Sequence, residues 1–126
     1  MTDLVACLST GKGTWIGVLK LVNKQDFENV FLVVNSWTRE NLKLKKDNLR
    51  LVNINSDDKT SSIRDSIIKQ LEGKVKGFEV AVNIDSGTGK EHTALVTALI
   101  KLGLALRFIV AEGEEIEEVS ANFSYE

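Results

Sequence analysis

The sequence lacks the residues on which several classes of protein depend. Its single cysteine, Cys7, excludes an intramolecular disulfide, and with one histidine, His92, a zinc site built on cysteine or histidine is not expected. Cys7 lies inside an apolar run, so we expect it to be a small buried hydrophobic residue. We therefore predict no metal site, and the function preferred below uses no cofactor.

The sequence also has little net charge, no long hydrophobic run and no proline. The formal net charge of −2 over 126 residues gives no general attraction to a nucleic-acid backbone. Duplex nucleic acid is thus not an expected partner, and any phosphate must be bound locally. No apolar run approaches the about 20 residues of a membrane span, and a stretch with Asp3 and a turn by Ser9 does not resemble a signal peptide. We expect a cytoplasmic protein without a membrane partner, and the absence of proline is compatible with a thermophilic source.

Apolar runs alternate with segments of helical periodicity, which predicts a single domain over 1–126. The apolar runs predict strands at 3–8, 29–35, 49–54, 78–84 and 104–111, and a short sixth strand at 115–119. Five acidic residues between 112 and 118 indicate a solvated sheet edge or, alternatively, an acidic partner surface.

Four helices are predicted between these strands, each from an apolar stripe and a residue that begins or ends it. Thr14 is expected to cap the first helix, and Ser36 a second helix over 37–46. Leu42 and Leu44 fit an extended chain equally well. The third helix is expected to begin at a capping box of Ser62 and Asp65 and to end at Gly73. The fourth helix is expected over 93–102, with Gly103 as its C-cap.

Strands that alternate with helices predict parallel strands joined by right-handed crossovers. We therefore expect an α/β, Rossmann-like, doubly wound fold with a mostly parallel sheet of five to six strands in the order 3-2-1-4-5. In that order the first and fourth strands are neighbours, and ligands bind in the crevice at their carboxyl ends.

A glycine-rich loop follows each of these two strands. The first is Ser9-Thr10-Gly11-Lys12-Gly13-Thr14, and the second is Asp85-Ser86-Gly87-Thr88-Gly89-Lys90. Backbone N–H groups at a helix start bind anions, hydroxyls hold phosphate or ribose oxygens, and lysine adds a mobile positive charge. The two loops predict a binding site for a phosphorylated ligand, although both also fit simple tight turns.

Two common nucleotide motifs are not matched. A Walker A motif needs glycine where Ile84 stands and serine or threonine where Glu91 stands. A dinucleotide site would want an acidic residue near Asn35 and Ser36.

Asp85 could contact the ligand or organise its own loop by accepting N–H groups, and we expect His92 to be a surface-helix residue rather than a proton donor.

The stretch Asn83-Ile84-Asp85-Ser86-Gly87-Thr88-Gly89-Lys90, with an Ala- and Leu-rich helix after it, resembles a signature of the CRISPR-associated Rossmann-fold (CARF) domains. Their pattern is Asp, any residue, Thr-Gly-Gly-Thr-Lys and a small-residue helix; here Ser86-Gly87-Thr88-Gly89 replaces the Thr-Gly-Gly-Thr core. Leu8-Ser9-Thr10-Gly11 is similar to the family's loop after the first strand. The winged-helix or nuclease domain of many members is not expected here.

The resemblance implies a homodimer whose paired clefts bind a cyclic oligoadenylate. Some stand-alone members are ring nucleases that cleave this ligand without metal. By position, Ser9 or Thr10 would then contact the ribose or phosphate, and Lys90 would stabilise the charge of the phosphorane. Lys12 has no clear counterpart in the family.

Two other functions remain open from the residues. One is a non-catalytic protein-interaction subunit, in which Trp37, the basic stretch 43–46 and the acidic end would form contacts and the glycine loops would be structural. The other is an enzyme that uses a dinucleotide or nucleoside cofactor.

Overall fold

Strands and helices alternate within residues 2–9 and 12–119, the part of the chain that the computed structural model describes. The strands are β1 (Leu4–Cys7), β2 (Val30–Val34), β3 (Leu49–Asn53), β4 (Glu79–Asn83), β5 (Ala105–Glu112) and β6 (Glu115–Val119). The helices are α1 (Trp15–Lys24), α2 (Ser36–Asn41), α3 (Thr60–Leu71) and α4 (Gly89–Lys101), with a 3-10 turn at Lys12–Thr14 before α1. None of these helices is both long and apolar enough to cross a membrane.

The sheet has the order β3-β2-β1-β4-β5-β6, which confirms the predicted doubly wound α/β arrangement and its short sixth strand. β1 pairs in parallel with β2 and β4, so that Leu4 lies beside Val30 on one side and Ala81 on the other. Only β6 among the described strands is antiparallel, and it pairs Val119 with Phe108 of β5. The central strands are continuously apolar because helices cover both of their faces.

Alternate residues of each strand enter two separate cores. Val5 and Cys7 of β1 pack on the face covered by α3 and α4, whereas Leu4 and Ala6 pack on the face covered by α1. The α3 stripe is Ile63, Ile67 and Leu71, at the i, i+4 spacing of a helix face. Cys7 is buried as expected.

The caps of the first three helices differ from the predictions. Asn35, not Ser36, caps α2 by accepting from the Thr38 N–H at 2.9 Å, since the helix begins one residue earlier than expected. α3 begins at Thr60 without a side-chain cap, so Ser62 and Asp65 lie inside the helix and the predicted capping box is wrong. α1 begins directly after Thr14 as predicted, but Thr14 ends the 3-10 turn with helical backbone angles and its side chain makes no capping hydrogen bond.

The end of α2 and the start of α4 also bear on the predictions. α2 stops at Asn41, and Leu42 and Leu44 pack in extended chain against the α1 core, which confirms the alternative interpretation. α4 begins at Gly89, four residues before the predicted start, because Thr88 and Glu91 form a capping box.

The outer edge of β3 is covered by a side chain from α3. Gln70 accepts from the Asn53 N–H at 2.9 Å and donates to the Asn53 carbonyl at 2.8 Å. These are the backbone groups that point away from β2, since the next residue, Ile54, donates to Val34. The Gln70 amide thus occupies the hydrogen-bonding position of a further strand.

Candidate functional site

The two glycine-rich loops meet at the carboxyl ends of β1 and β4, as the fold prediction required. The Ser9 N–H donates to Ser86 Oγ at 3.0 Å, and Ser86 Oγ donates back to the Ser9 carbonyl at 2.6 Å. Thr14 Oγ1 donates to Ser86 Oγ at 2.8 Å, so the hydroxyl predicted to cap α1 links the loops instead. Three hydroxyl residues of the predicted site therefore hold its two halves together.

Glu91 is the centre of this junction, although its side chain is buried and only 3% of the residue is exposed. Its Oε1 accepts from Ser9 Oγ at 2.5 Å and from the Thr88 N–H at 3.0 Å. Its Oε2 accepts from Ser56 Oγ at 2.8 Å. One carboxylate thus ties together the segments that follow β1, β3 and β4.

The charge of Glu91 is stabilised by these donors. Burial raises the pKa of the Glu91 carboxyl, but the hydrogen bonds from Ser9, Ser56 and Thr88 outweigh burial and hold the pKa below its ordinary value. Burial, and secondarily the negative charge of Glu91, raise the pKa of the Cys7 thiol to about 12. Cys7 therefore remains protonated at neutral pH and is not a nucleophile.

Gly87 lies where a side chain could not be accommodated. Its φ is +109°, and an added Cβ would lie 2.9 Å from His92 Nε2 and 3.1 Å from Glu91 Oε1. His92 Nε2 is itself 2.8 Å from the Ser86 carbonyl, to which it must donate because a carbonyl only accepts. His92 thus braces the loop from the first turn of α4 and is half-buried.

Asp85 has a partner other than the loop N–H groups predicted for it. Its carboxylate accepts from Asn83 Nδ2 at 3.1 Å, and its N–H donates to Asn83 Oδ1 at 3.1 Å. The same carboxylate lies against α1, where a Cβ at Gly17 would be 3.0 Å from Asp85 Oδ2. Gly17 therefore permits α1 to approach the loop closely.

The solvent-facing part of the site comes from the second loop and the start of α4. Asp85, Thr88, Gly89 and Lys90 are exposed, and Gly13 of the first loop is exposed as well. Lys90 Nζ donates to the Ser56 carbonyl at 3.1 Å, which directs the ammonium toward the end of β3. Thr10, Gly11 and the side chain of Lys12, all predicted to bind ligand, lie outside the described part of the structure.

A cleft of about 490 Å³ adjoins this surface above the ends of β2 and β3. Ser56 is shared between the cleft and the Glu91 junction. The cleft is lined by Asn35, Ser36, Trp37, Ile54, Asn55, Ser56 and Asp57. Trp37 is 46% exposed, and its ring is held edge-on by buried Trp15 at 5.8 Å between centroids. The volume is within the range of about 300–1,000 Å³ that is usual for small-ligand sites.

Sequence reasoning missed three residues of this region. Glu91 carries a recognisable signal, because Thr88-Gly89-Lys90-Glu91 fits the capping-box pattern. Ser56 follows β3, but only the three-dimensional structure brings it to a helix more than thirty residues later. Trp37 was assigned to protein contacts, since its position over the cleft depends on where α2 begins.

The arrangement is suited to binding an anionic organic molecule. Exposed hydroxyl and ammonium groups stand beside a cleft with an aromatic wall, and the described residues contain no cluster of His, Cys, Asp and Glu able to hold a metal ion. Comparison with known proteins finds no matching family model and no significantly similar curated protein.

Proposed function

We propose that this chain is a CARF-like nucleotide-binding domain that senses a cyclic oligoadenylate. The observation that carries the proposal is the junction at Glu91, which fixes two glycine-rich loops beside the start of α4 and next to an aromatic-walled cleft. This is the place where doubly wound folds bind nucleotides. A cytoplasmic location belongs to the proposal, because such ligands are intracellular messengers.

We assign the exposed side chains of Thr88, Lys90 and Trp37 to the ligand, and the hydroxyls that bond to one another across the two loops to positioning. A phosphate group would lie on Thr88, Lys90 and the first N–H groups of α4, where the helix dipole favours negative charge. An adenine ring would stack on Trp37 across the cleft, with the ribose near Asn35. Ser9, Ser86 and Thr14 hold these groups in place through their mutual hydrogen bonds.

A ring-nuclease reaction extends this proposal without a metal. The ribose 2′-oxygen of the ligand would attack the adjacent phosphorus, the bond from phosphorus to the 5′-oxygen would break, and a 2′,3′-cyclic phosphate would form. The 2′-hydroxyl proton would leave to solvent while the departing 5′-oxygen takes up a proton. Lys90 would stabilise the negative charge of the phosphorane, as expected for a cation next to developing charge.

An exposed apolar patch supports the proposed homodimer. Leu106 and Phe108 of β5 face the α4 side of the sheet, and Val119 lies opposite Phe108 on β6. Val96 and Ile100 form an i, i+4 row on α4, on the flank away from buried Ala94 and Ala98. Leu106, Phe108, Val119, Val96 and Ile100 are called the β5–α4 patch below. All five are exposed or half-buried, which is unusual for so many neighbouring apolar residues.

Thermal-shift measurements test the ligand. Cyclic tetra- and hexa-adenylate, linear adenine nucleotides and dinucleotides are compared on the wild type, Lys90→Ala and Lys101→Ala. Lys101 is an exposed lysine at the other end of α4, about 16 Å along the helix axis, and serves as the matched control. A ligand at about a hundredfold its Kd stabilises the fold by about 2.7 kcal/mol, a rise of several degrees in Tm.

The expected result is a rise in Tm with a cyclic oligoadenylate that Lys90→Ala reduces and Lys101→Ala retains. Because Trp37 lines the cleft, the same ligand should also quench tryptophan fluorescence in the wild type and not in Trp37→Phe, which keeps only Trp15. A Tm unchanged by every nucleotide would overturn the proposal.

The β5–α4 patch also favours a second candidate function, a protein-interaction subunit. In that case the glycine loops would serve the fold alone. The thermal-shift measurement distinguishes the two functions, since both predict assembly through the patch but only the nucleotide-binding domain responds to a nucleotide.

A further inference from the structure

A second groove, of about 520 Å³, lies at the opposite edge of the sheet, where the strands begin. It runs between the edge strand β3 and the segment that follows α3. Its floor is apolar, from Phe31 and Val52, and three cationic side chains line it: Arg50, Lys74 and Lys76. The groove is therefore separate from the cleft at the carboxyl ends of the strands.

These three cations carry charge that no carboxylate neutralises within the described residues. The ion pairs there involve Lys20, Lys24, Arg64 and Arg107 instead. Arg50 donates one guanidinium nitrogen to the carbonyls of Asp47 and Leu49, at 3.0 and 3.2 Å. The groove is a local basic site on a chain whose net charge is −2.

Buried Asp3 beneath this region fixes the backbone of the basic segment. Asp3 Oδ2 accepts from the Lys76 N–H at 2.8 Å, and Oδ1 accepts from Asn29. Its carboxylate is fully buried, so it anchors the backbone and leaves the Lys76 ammonium to the surface.

An exposed aromatic ring continues the same segment. Phe78 is 89% exposed, more than any other large hydrophobic residue in the described ranges. Its carbonyl accepts from the Ala105 N–H at 2.8 Å, so the ring projects from a fixed backbone at the start of β4. From β3 to β4 the edge spans three strand spacings of about 4.8 Å, or about 14 Å. Cations and an aromatic ring thus follow one another along this edge.

We propose that this edge binds single-stranded nucleic acid, with phosphates on Arg50, Lys74 and Lys76 and a base stacked on Phe78. A basic groove next to an exposed aromatic ring is the combination that sequence-tolerant single-strand binding requires. A simple anion would use the cations and leave Phe78 without a role, and an acidic polypeptide would do the same. The exposed phenyl ring is what favours a nucleic-acid strand.

Fluorescence anisotropy with a fluorescein-labelled thymidine decamer tests this proposal on the full chain. With three phosphate contacts, log K should fall against log salt with a slope of about −2 between about 50 and 200 mM salt. Lys74→Ala should make that slope shallower by about 0.7. Phe78→Ala should weaken binding about tenfold at an unchanged slope, and Phe78→Trp should restore it.

Lys59→Ala is the matched control, because this exposed lysine precedes the opposite end of α3 and should bind the decamer like the wild type. The Tm of each variant establishes that it is folded. Absence of wild-type binding at low salt would overturn the proposal, as would equal losses in Lys59→Ala and Lys74→Ala. If polyglutamate or pyrophosphate competes fully and Phe78→Ala binds normally, the groove is a general anion site and the proposal is wrong.

Discussion

Glu91 shows how one buried side chain can organise a site that others would use. Its carboxylate accepts hydrogen bonds from segments that follow three different strands, and none of its donors is charged. An amide in place of the carboxylate keeps one acceptor oxygen and puts an NH2 donor where the other oxygen stood, so part of this set of hydrogen bonds is lost. Glu91 thus positions the two loops, whereas the proposed ligand contacts come from other residues such as Lys90.

The first prediction concerns Glu91→Gln. The pKa of Glu91 is lower in the folded protein than its ordinary value of 4.5. The ionised carboxylate therefore stabilises the fold fully above about pH 4.5, and this contribution to the free energy of unfolding is lost as the pH falls through the folded pKa. Urea unfolding should show a loss of about 1.5–3 kcal/mol for Glu91→Gln at neutral pH. The difference from wild type should shrink as the pH falls below about 4.5 and Glu91 becomes protonated in the wild type. Glu117→Gln, at an exposed position of β6, should show no such effect.

Gly87 and Gly89 form a matched pair for the second prediction. Ala at Gly87 requires a positive φ and meets His92 Nε2 at 2.9 Å, whereas Ala at Gly89 meets nothing within 4 Å. Gly87→Ala should lower the free energy of unfolding by about 1–3 kcal/mol. Gly89→Ala should be neutral or slightly stabilising, because alanine favours the helix. Equal unfolding curves for the two variants would contradict the geometry of this loop.

At the scale of elements, the strands and the apolar stripes were predictable, whereas three of the four helices begin earlier than the sequence predicts. Burial on both sides leaves continuous apolar runs such as Val30–Val34, which fix the type and position of a strand. A helix start depends on which of several capping residues the chain geometry selects. The sequence offers Asn35 and Ser36 in succession, and only the structure shows that Asn35 accepts from Thr38.

The third prediction tests which of the two neighbouring residues, Asn35 or Ser36, caps α2. Asn35→Ala should destabilise the protein by about 1 kcal/mol through loss of the α2 cap, whereas Ser36→Ala should have an effect within about 0.5 kcal/mol. Denaturant midpoints of the two variants measure the difference. A larger loss for Ser36→Ala would restore the sequence-based assignment of the cap.

At the scale of the whole molecule, the paired loops were predictable because alternating strands and helices favour a doubly wound sheet, of which 3-2-1-4-5 is a common order. The order 3-2-1-4-5 brings the first and fourth strands together whatever their side chains. What could not be predicted is the closure of the crevice by Ser9, Thr14 and Ser86, with the adjoining cleft displaced toward β2 and β3. Hydrogen bonds between residues more than seventy positions apart leave no periodic signal in the sequence.

The fourth prediction addresses assembly. Ile16 and Ile100 are both 60% exposed, but only Ile100 belongs to the β5–α4 patch. If the patch joins two copies, Ile100→Lys should convert the dimer to a monomer in light scattering, since it places a charge in an apolar contact. Ile16→Lys should leave the mass unchanged. A monomeric wild type would contradict the dimer.

The Gln70 amide has a consequence for how copies of this chain can meet. A bare edge strand invites another chain to extend the sheet without limit, which is the route to fibres. At β3, the Gln70 side chain already forms hydrogen bonds with the N–H and the carbonyl of Asn53. At β6, the exposed carboxylates of Glu115 and Glu117 would repel the same edge of a neighbouring copy. Both features disfavour edge-to-edge extension, at Asn53 of β3 and along β6, so we expect copies of this chain to associate face to face rather than by adding strands to the sheet.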